Sequence, residues 1–137
     1  MSSQAHSVRQ KIEIPFQYAA GSAVTRFLTG LRDRVIVASV CGKCGRRSVP
    51  PLSFCGRCWL PISEFTDLTG EGTLVSFSRD KEGNLIGLIR CDGADSTLAH
   101  RVSVQKGTPK IGARVTPVWR EERTASILDI EHFRVVE

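Results

Sequence analysis

The spacing of apolar residues divides the chain into a helical segment and a longer series of strands. After Gly21 the apolar residues recur at i, i+3, i+4 and i+7, which predicts a short helix with Ser22 as its N-cap. A β-branched run at residues 35–40 predicts a first strand. The apolar stripe of the helix needs a covering surface, which is either the chain's own core or a partner protein. The stripe consists of Val24, Phe27, Leu28 and Leu31.

Beyond residue 70, short apolar runs alternate with turns that are rich in glycine, asparagine and aspartate. This pattern predicts an all-β unit. Five strands at this spacing fit a small Greek-key barrel, and the OB-fold is a common barrel of that kind. The predicted strands are residues 72–77, 85–91, 98–104, 113–119 and 126–135.

Four of the five cysteines lie in two Cys-x-x-Cys pairs, which are Cys41/Cys44 and Cys55/Cys58, with ten residues between the pairs. Zinc binds four thiolates at about 2.3 Å in a tetrahedron, and two such turns facing each other supply them. The alternatives are two disulfides or four unligated thiols, and nothing marks the chain as secreted. Iron could use the same ligands, but no second redox motif is visible. Because four thiolates fill the coordination shell of zinc, we expect a structural zinc site.

The chain is therefore predicted to be mainly β, with an N-terminal helix, a four-cysteine zinc ribbon and a small five-stranded OB-like barrel. We expect a mobile tail at residues 1–13 and a helical, partner-docking segment at 14–34. The ribbon is expected at 35–62 and the OB-fold at 63–137.

Composition indicates a compartment and a charge distribution. No apolar run approaches the length of a membrane span and the first residues lack an apolar signal, so we expect a reducing cytoplasm and no membrane association. The formal charge is +5, which four thiolates and one Zn²⁺ would lower to about +3. The basic residues concentrate between Arg26 and Arg57, where Asp33 is the only acid. They either neutralise the thiolates or attract phosphate groups.

A catalytic set is hard to assemble from this sequence. The three histidines lie in the tail and in two predicted strands, as His6, His100 and His132, where a structural role is the simpler interpretation. Cys91 ends an apolar strand and is expected to be a buried hydrophobic residue. No serine-hydrolase, zinc-protease, P-loop or dinucleotide motif is present. We therefore expect no catalysis by this chain alone.

Several short motifs accompany this order of elements. They are Arg26–Arg32 before the ribbon, Cys41–Pro51 within it, Gly70–Phe77 at the start of the barrel, Asp92–Asp95 with Leu98–Arg101, and Ile111–Val115 late in the barrel. In order and spacing they resemble a family of small acyl-CoA-associated proteins. Members join a rubredoxin-like zinc ribbon to an OB-fold and are catalogued as a domain of unknown function.

This resemblance implies a role in a larger complex. Such proteins accompany thiolases, or related hydratases and aldolases, so the chain would be a non-catalytic subunit of a hetero-oligomer. A thiolase-like large subunit would supply the nucleophilic cysteine and the acid–base histidines for thiolytic cleavage of a 3-oxoacyl-CoA. This chain would stabilise its partner and help to form the CoA site. Four basic residues on the knuckles are candidates for binding the CoA phosphates: Lys43, Arg46, Arg47 and Arg57.

Two other functions stay open at this point. Zinc ribbons and OB barrels both occur in single-strand nucleic-acid binders, which stack bases on aromatic side chains. Phe77 and Trp119 would be the stacking residues here, although aromatics make up only 7% of the chain. The second alternative is a free-standing acyl-CoA carrier, which would be monomeric and would bind CoA esters alone.

Overall fold

The computed structural model describes residues 5–15, 17 and 19–136 of the chain. The predicted tail, helical segment and barrel also include residues 1–4, Phe16, Tyr18 and Glu137, which lie outside the described part. A mainly β architecture is found, as predicted from the sequence. Its elements are α1 (Gly21–Arg32), β1 (Ile36–Val40), β2 (Arg47–Ser48), β3 (Glu64–Leu68), β4 (Gly72–Arg79), β5 (Leu85–Cys91), β6 (Leu98–Ser103), β7 (Arg114–Trp119), the 3-10 helix η1 (Ile127–Asp129) and β8 (Ile130–Val136).

Helix α1 packs its apolar face on the rest of the molecule. Its buried residues recur at i, i+4 and i+8, and two of them, Phe27 and Leu31, join the main hydrophobic core. Of the two surfaces expected to cover this stripe, the chain's own core covers most of it, but Val24 is only half buried and lies outside the main core. The prediction that Ser22 is the N-cap is wrong. Ala20 occupies that position without a side-chain hydrogen bond, and Ser22 already lies within the first helical turn.

The ribbon is built on a three-stranded antiparallel sheet in the order β2–β1–β3. The central strand β1 is buried along most of its length, as its β-branched sequence predicts. Strand β3 was not predicted, because its polar and apolar residues leave it half exposed at the sheet edge. It pairs with the whole of β1, from Ile36 opposite Leu68 to Val40 opposite Glu64. The sheet consequently extends beyond residue 62.

The second unit is a closed barrel in the order β4–β5–β6–β8–β7. All neighbouring strands are antiparallel except β6 and β8, which run parallel and close the barrel across a crossover. Strand β5 alternates strictly between buried and exposed residues, which is the two-residue period of a half-buried strand. Strand β8 begins at Ile130 rather than residue 126. Ser126 and Asp129 instead form a capping box around η1 and use the backbone groups that a strand would offer.

Hydrogen bonds fasten the ribbon to the barrel. In the loop between β5 and β6, Asp95 accepts a hydrogen bond from the Arg47 N–H (2.9 Å) and donates its own N–H to the Arg47 carbonyl (2.8 Å). The Ser96 hydroxyl accepts from the Val49 N–H (2.8 Å) and donates to the Val49 carbonyl (3.1 Å). These bonds satisfy backbone groups of β2 and of the residue that follows it, so the ribbon and the barrel are joined by hydrogen bonds.

An ion pair orders the same end of the barrel. The Arg114 guanidinium donates to both carboxylate oxygens of Asp92, and one of its nitrogens also donates to the Thr73 hydroxyl (3.2 Å). These bonds hold the pKa of Asp92 below its usual range. The pair joins β4, β7 and the end of β5 where the barrel meets the ribbon.

His100 is a buried structural side chain in β6. Its Nδ1 accepts the Arg101 N–H (2.8 Å), so its Nε2 carries the proton that is donated to the Ile127 carbonyl (3.1 Å). Its ring packs edge-on against Phe133, with ring centroids 5.5 Å apart. Burial lowers the pKa of His100 from its ordinary value of 6.5. Cys91 lies in the core, as predicted, and burial raises its pKa to about 11.

The lowered pKa of His100 predicts a pH-dependent stability. Well above pH 6.5 the imidazole is neutral in both the folded and the unfolded chain. As the pH falls below 6.5, the unfolded chain gains a proton that the folded chain resists, so the free energy of unfolding decreases. We expect urea unfolding between pH 8 and pH 5.5 to show a shallower decrease for His100→Gln than for the wild type. Equal pH slopes for the two proteins would contradict this assignment.

Candidate metal centre

The two Cys-x-x-Cys turns have the same backbone conformation. In each turn the N–H of the first cysteine donates to the carbonyl of the residue five positions later. The carbonyl of the same cysteine accepts a hydrogen bond from the N–H of the residue four positions later. The residue at that fourth step has a left-handed backbone in both turns, as Gly45 (φ 74°) and Trp59 (φ 59°). The bonds run from Cys41 to Arg46, Gly45 to Cys41, Cys55 to Leu60 and Trp59 to Cys55, at 2.9 to 3.0 Å.

These turns bring four sulfur atoms together. The ligand atoms of Cys41, Cys44, Cys55 and Cys58 all lie within 4.8 Å of one another, and the Sγ atoms of Cys44 and Cys55 are 3.6 Å apart. A zinc tetrahedron with bonds of about 2.3 Å has sulfur–sulfur edges of roughly 3.8 Å. The residues present therefore fit a tetrahedral metal ion, and the four cysteines form a zinc-ribbon site.

The local electrostatics prepare the first cysteine of each turn as a ligand. Backbone N–H groups of Cys44 and Lys43 lower the pKa of the Cys41 thiol to about 6. Those of Cys58 and Arg57 lower the pKa of Cys55 in the same way. At Cys58 the hydrogen bond with the Cys44 sulfur, reinforced by burial, raises the pKa to about 12. Zinc binds thiolates, so binding of the ion displaces the proton from Cys58.

Two of the four basic residues predicted to bind phosphate meet at one cavity, and the other two do not line it. Arg46 and Arg57 line a cavity of about 350 Å³ between the second knuckle and the barrel. Lys43 is exposed on the first knuckle. Arg47 lies in β2, where its backbone is bonded to Asp95. The predicted set thus divides into a cavity pair and a surface pair.

The cavity also contains residues that the sequence did not indicate. Ser96 and Thr97 reach it from the loop between β5 and β6, about forty positions after the knuckles. Val49, Pro50 and Leu52 supply an apolar side. No local sequence signal connects the two groups, because they meet only through the contact between ribbon and barrel.

The remaining predicted site residues lie apart from this cavity. Phe77 and Trp119 are half buried and pack against the main core, so their rings do not form an open stacking platform. His6 is exposed in the N-terminal segment, and His132 is half buried in β8. Among the described residues, no helix is both long enough and apolar enough to cross a membrane.

Comparisons with known proteins agree with this architecture. The family described as ChsH2, rubredoxin-like zinc ribbon domain, matches residues 28–60. A DUF35-family protein of unknown function from Sulfolobus solfataricus is 26% identical, over 85% of this chain and 87% of that one, with a TM-score of 0.67. An Ltp2–ChsH2(DUF35) aldolase is 18% identical, over 80% of this chain and 91% of that one, with a TM-score of 0.58, which shows a shared fold. No curated protein matches the chain.

Together these likenesses confirm the resemblance predicted from the sequence. The ribbon matches a ChsH2-type zinc ribbon, and the fold is similar to those of two solved proteins that carry the DUF35 name.

The metal centre predicts a specific cysteine requirement. We expect one zinc ion per chain by elemental analysis, with loss of the metal in Cys44→Ser. Cys91→Ala is the matched control, because Cys91 lies in the barrel core away from the sulfur cluster and should leave the zinc content unchanged. Chelation should unfold the ribbon, since metal-binding energy is folding energy in such sites. Iron in place of zinc, or full zinc retention by Cys44→Ser, would contradict the prediction.

Proposed function

Because the chain carries a ChsH2-type zinc ribbon on the fold of a DUF35 protein, we propose that it is a non-catalytic accessory subunit of an acyl-CoA enzyme. The large partner of this hetero-oligomer is a thiolase-like subunit. The match of the ribbon to the ChsH2 family carries the proposal. The similar fold in an aldolase that combines Ltp2 with a ChsH2 DUF35 protein supports a partnership of the same kind.

The distribution of reactive groups supports a non-catalytic role. Both ring nitrogens of His100 are engaged by backbone groups, and Cys91 is buried in the core. The other four cysteines face one another in the metal centre. In the described part of the chain no hydrogen bond joins a serine, threonine or cysteine side chain to a histidine or carboxylate side chain, so we assign the nucleophile and the acid–base groups to the partner.

The proposed reaction of the complex is thiolytic cleavage of a 3-oxoacyl-CoA. The partner's cysteine attacks the ketone carbon, and the carbon–carbon bond breaks to leave an acyl group on that cysteine and a CoA thioester whose α-carbon takes up a proton. The thiol of free CoA then attacks the acyl-enzyme, takes the acyl group and releases the cysteine. This chain contributes by stabilising the partner and by holding part of the CoA molecule. In an aldol cleavage this subunit would make the same two contributions, so the partner determines which reaction occurs.

The cavity beside the metal centre is the proposed contact for CoA phosphates. Arg46 and Arg57 place two guanidinium groups at its wall, and guanidinium binds phosphate through paired hydrogen bonds. Ser96 and Thr97 add hydroxyl groups from the barrel side. A pocket of about 350 Å³ is small for all of CoA, so it suits one phosphorylated portion of that molecule.

Co-expression tests the proposed role directly. The chain is produced alone and with each thiolase-like and aldolase-like acyl-CoA enzyme of the same organism, and complexes are separated by size. We expect co-elution with one of them. Cleavage of a 3-oxoacyl-CoA by free CoA should then require both chains. A monomer that ignores every such enzyme would contradict the proposal. In that event, CoA-ester binding would indicate a carrier, and salt-sensitive oligonucleotide binding a nucleic-acid protein.

A charge-matched pair of double variants tests the CoA contact. In the assembled complex, Arg46→Ala/Arg57→Ala should weaken CoA binding at least tenfold, because one charge-assisted hydrogen bond contributes about 1.5 kcal/mol. Lys43→Ala/Arg47→Ala removes the same net charge from the ribbon but spares the cavity, and should change CoA affinity little. Equal losses in both variants would indicate a general electrostatic effect. Calorimetric titration of the complex with CoA provides the measurement.

A further inference from the structure

The second knuckle carries an apolar surface that the proposed phosphate contact does not use. Four large apolar side chains are exposed within nine positions, and they form what we name the ribbon tip: Leu52, Phe54, Trp59 and Leu60. Trp59 is 79% exposed and Phe54 is 55% exposed. Their segments are held side by side by the Cys55-to-Leu60 hydrogen bond and by the bridge between Phe54 and Pro61.

Trp59 also has an unfavourable backbone conformation. Its φ of 59° lies in the left-handed region, which is unfavourable for a residue with a side chain. The equivalent residue of the first knuckle is Gly45, which makes the same hydrogen bond at the same distance. The turn therefore needs only a left-handed residue. Because the indole points mostly into solvent, packing within the chain does not offset the cost.

The charges around the ribbon tip restrict what can cover it. Residues 41–60, which form the two knuckles and the segment between them, contain four basic residues and no acidic residue. Their charge exceeds the net charge of about −2 on a zinc ion with four thiolates. A complementary surface is apolar at its centre, where it receives Trp59, and carries carboxylates at its rim. A buried aromatic anchor inside a polar rim is typical of protein interfaces.

We propose that the ribbon tip docks in an acid-rimmed apolar pocket on the large subunit of the acyl-CoA complex, with Trp59 as the central anchor. This inference rests on the proposed function and adds the surface through which the two subunits meet. The tip adjoins the cavity of Arg46 and Arg57, since Leu52 belongs to both. Docking at the tip would therefore bring the partner against the proposed CoA contact.

Affinity measurements between the co-eluting large subunit and variants of this chain test the docking surface. Trp59→Gly removes the indole and gives the turn the residue found in the first knuckle, so its melting temperature should equal or exceed that of the wild type. Its affinity for the partner should fall at least about tenfold. Phe54→Ser tests the same surface at a residue without left-handed backbone. Ile111→Ser is the control, because Ile111 is 61% exposed on a barrel loop outside the ribbon.

Each outcome decides a different point. Loss of affinity in both tip variants, with retention in Ile111→Ser, supports the docking surface. Wild-type affinity in both tip variants overturns this inference and leaves the accessory-subunit proposal intact. A wild-type chain that binds no acyl-CoA enzyme overturns both. If Trp59→Gly loses binding to a single-stranded oligothymidylate instead, the tip is a nucleic-acid surface and the inference is overturned.

Discussion

Four sulfur atoms must lie within one coordination sphere, and the geometry of the whole ribbon depends on that requirement. Two turns with the same hydrogen-bond pattern each present a pair of cysteines, and the pairs approach to 3.6 Å. A fixed turn also fixes its neighbours. Arg46 and Arg57 are held at the cavity wall, and Trp59 is held in solvent, because each lies within two positions of a ligand cysteine. A structural metal can in this way position functional groups that never touch it.

The contact between ribbon and barrel gives the protein a surface that neither unit has alone. Asp95 binds the backbone of β2, and Ser96 binds the backbone of the residue that follows β2 and also lines the cavity that Arg46 and Arg57 border. Ser96 therefore both joins the barrel to the ribbon and lines the proposed CoA site. The cavity proposed to bind CoA and the ribbon tip adjoin each other, because Leu52 belongs to both. An accessory subunit of this shape would present both to a partner at once.

Local patterns were sufficient for some elements and insufficient for others. Strand β5 and the metal centre each follow from a few neighbouring residues, an apolar run and a cysteine spacing, and both were predicted from sequence. Strand β3 was missed because it depends on pairing with β1, about thirty positions away, more than on its own composition. Ser126 begins a capped turn rather than a strand because the Asp129 carboxylate accepts a hydrogen bond from the Ser126 N–H. The division of the basic residues into two pairs requires the folded contact, so no sequence pattern could have shown it.

One hydrogen bond joins the first element of the protein to its last hairpin. The Arg123 guanidinium, between β7 and β8, donates to the Arg32 carbonyl at the end of α1 (2.7 Å), 91 positions earlier in the chain. Phe27 and Leu31 of the same helix pack into the main core with barrel residues. The helix therefore cannot be transplanted with the ribbon as a portable zinc module. Recombination or fusion that preserves the metal centre would have to inherit the barrel with it.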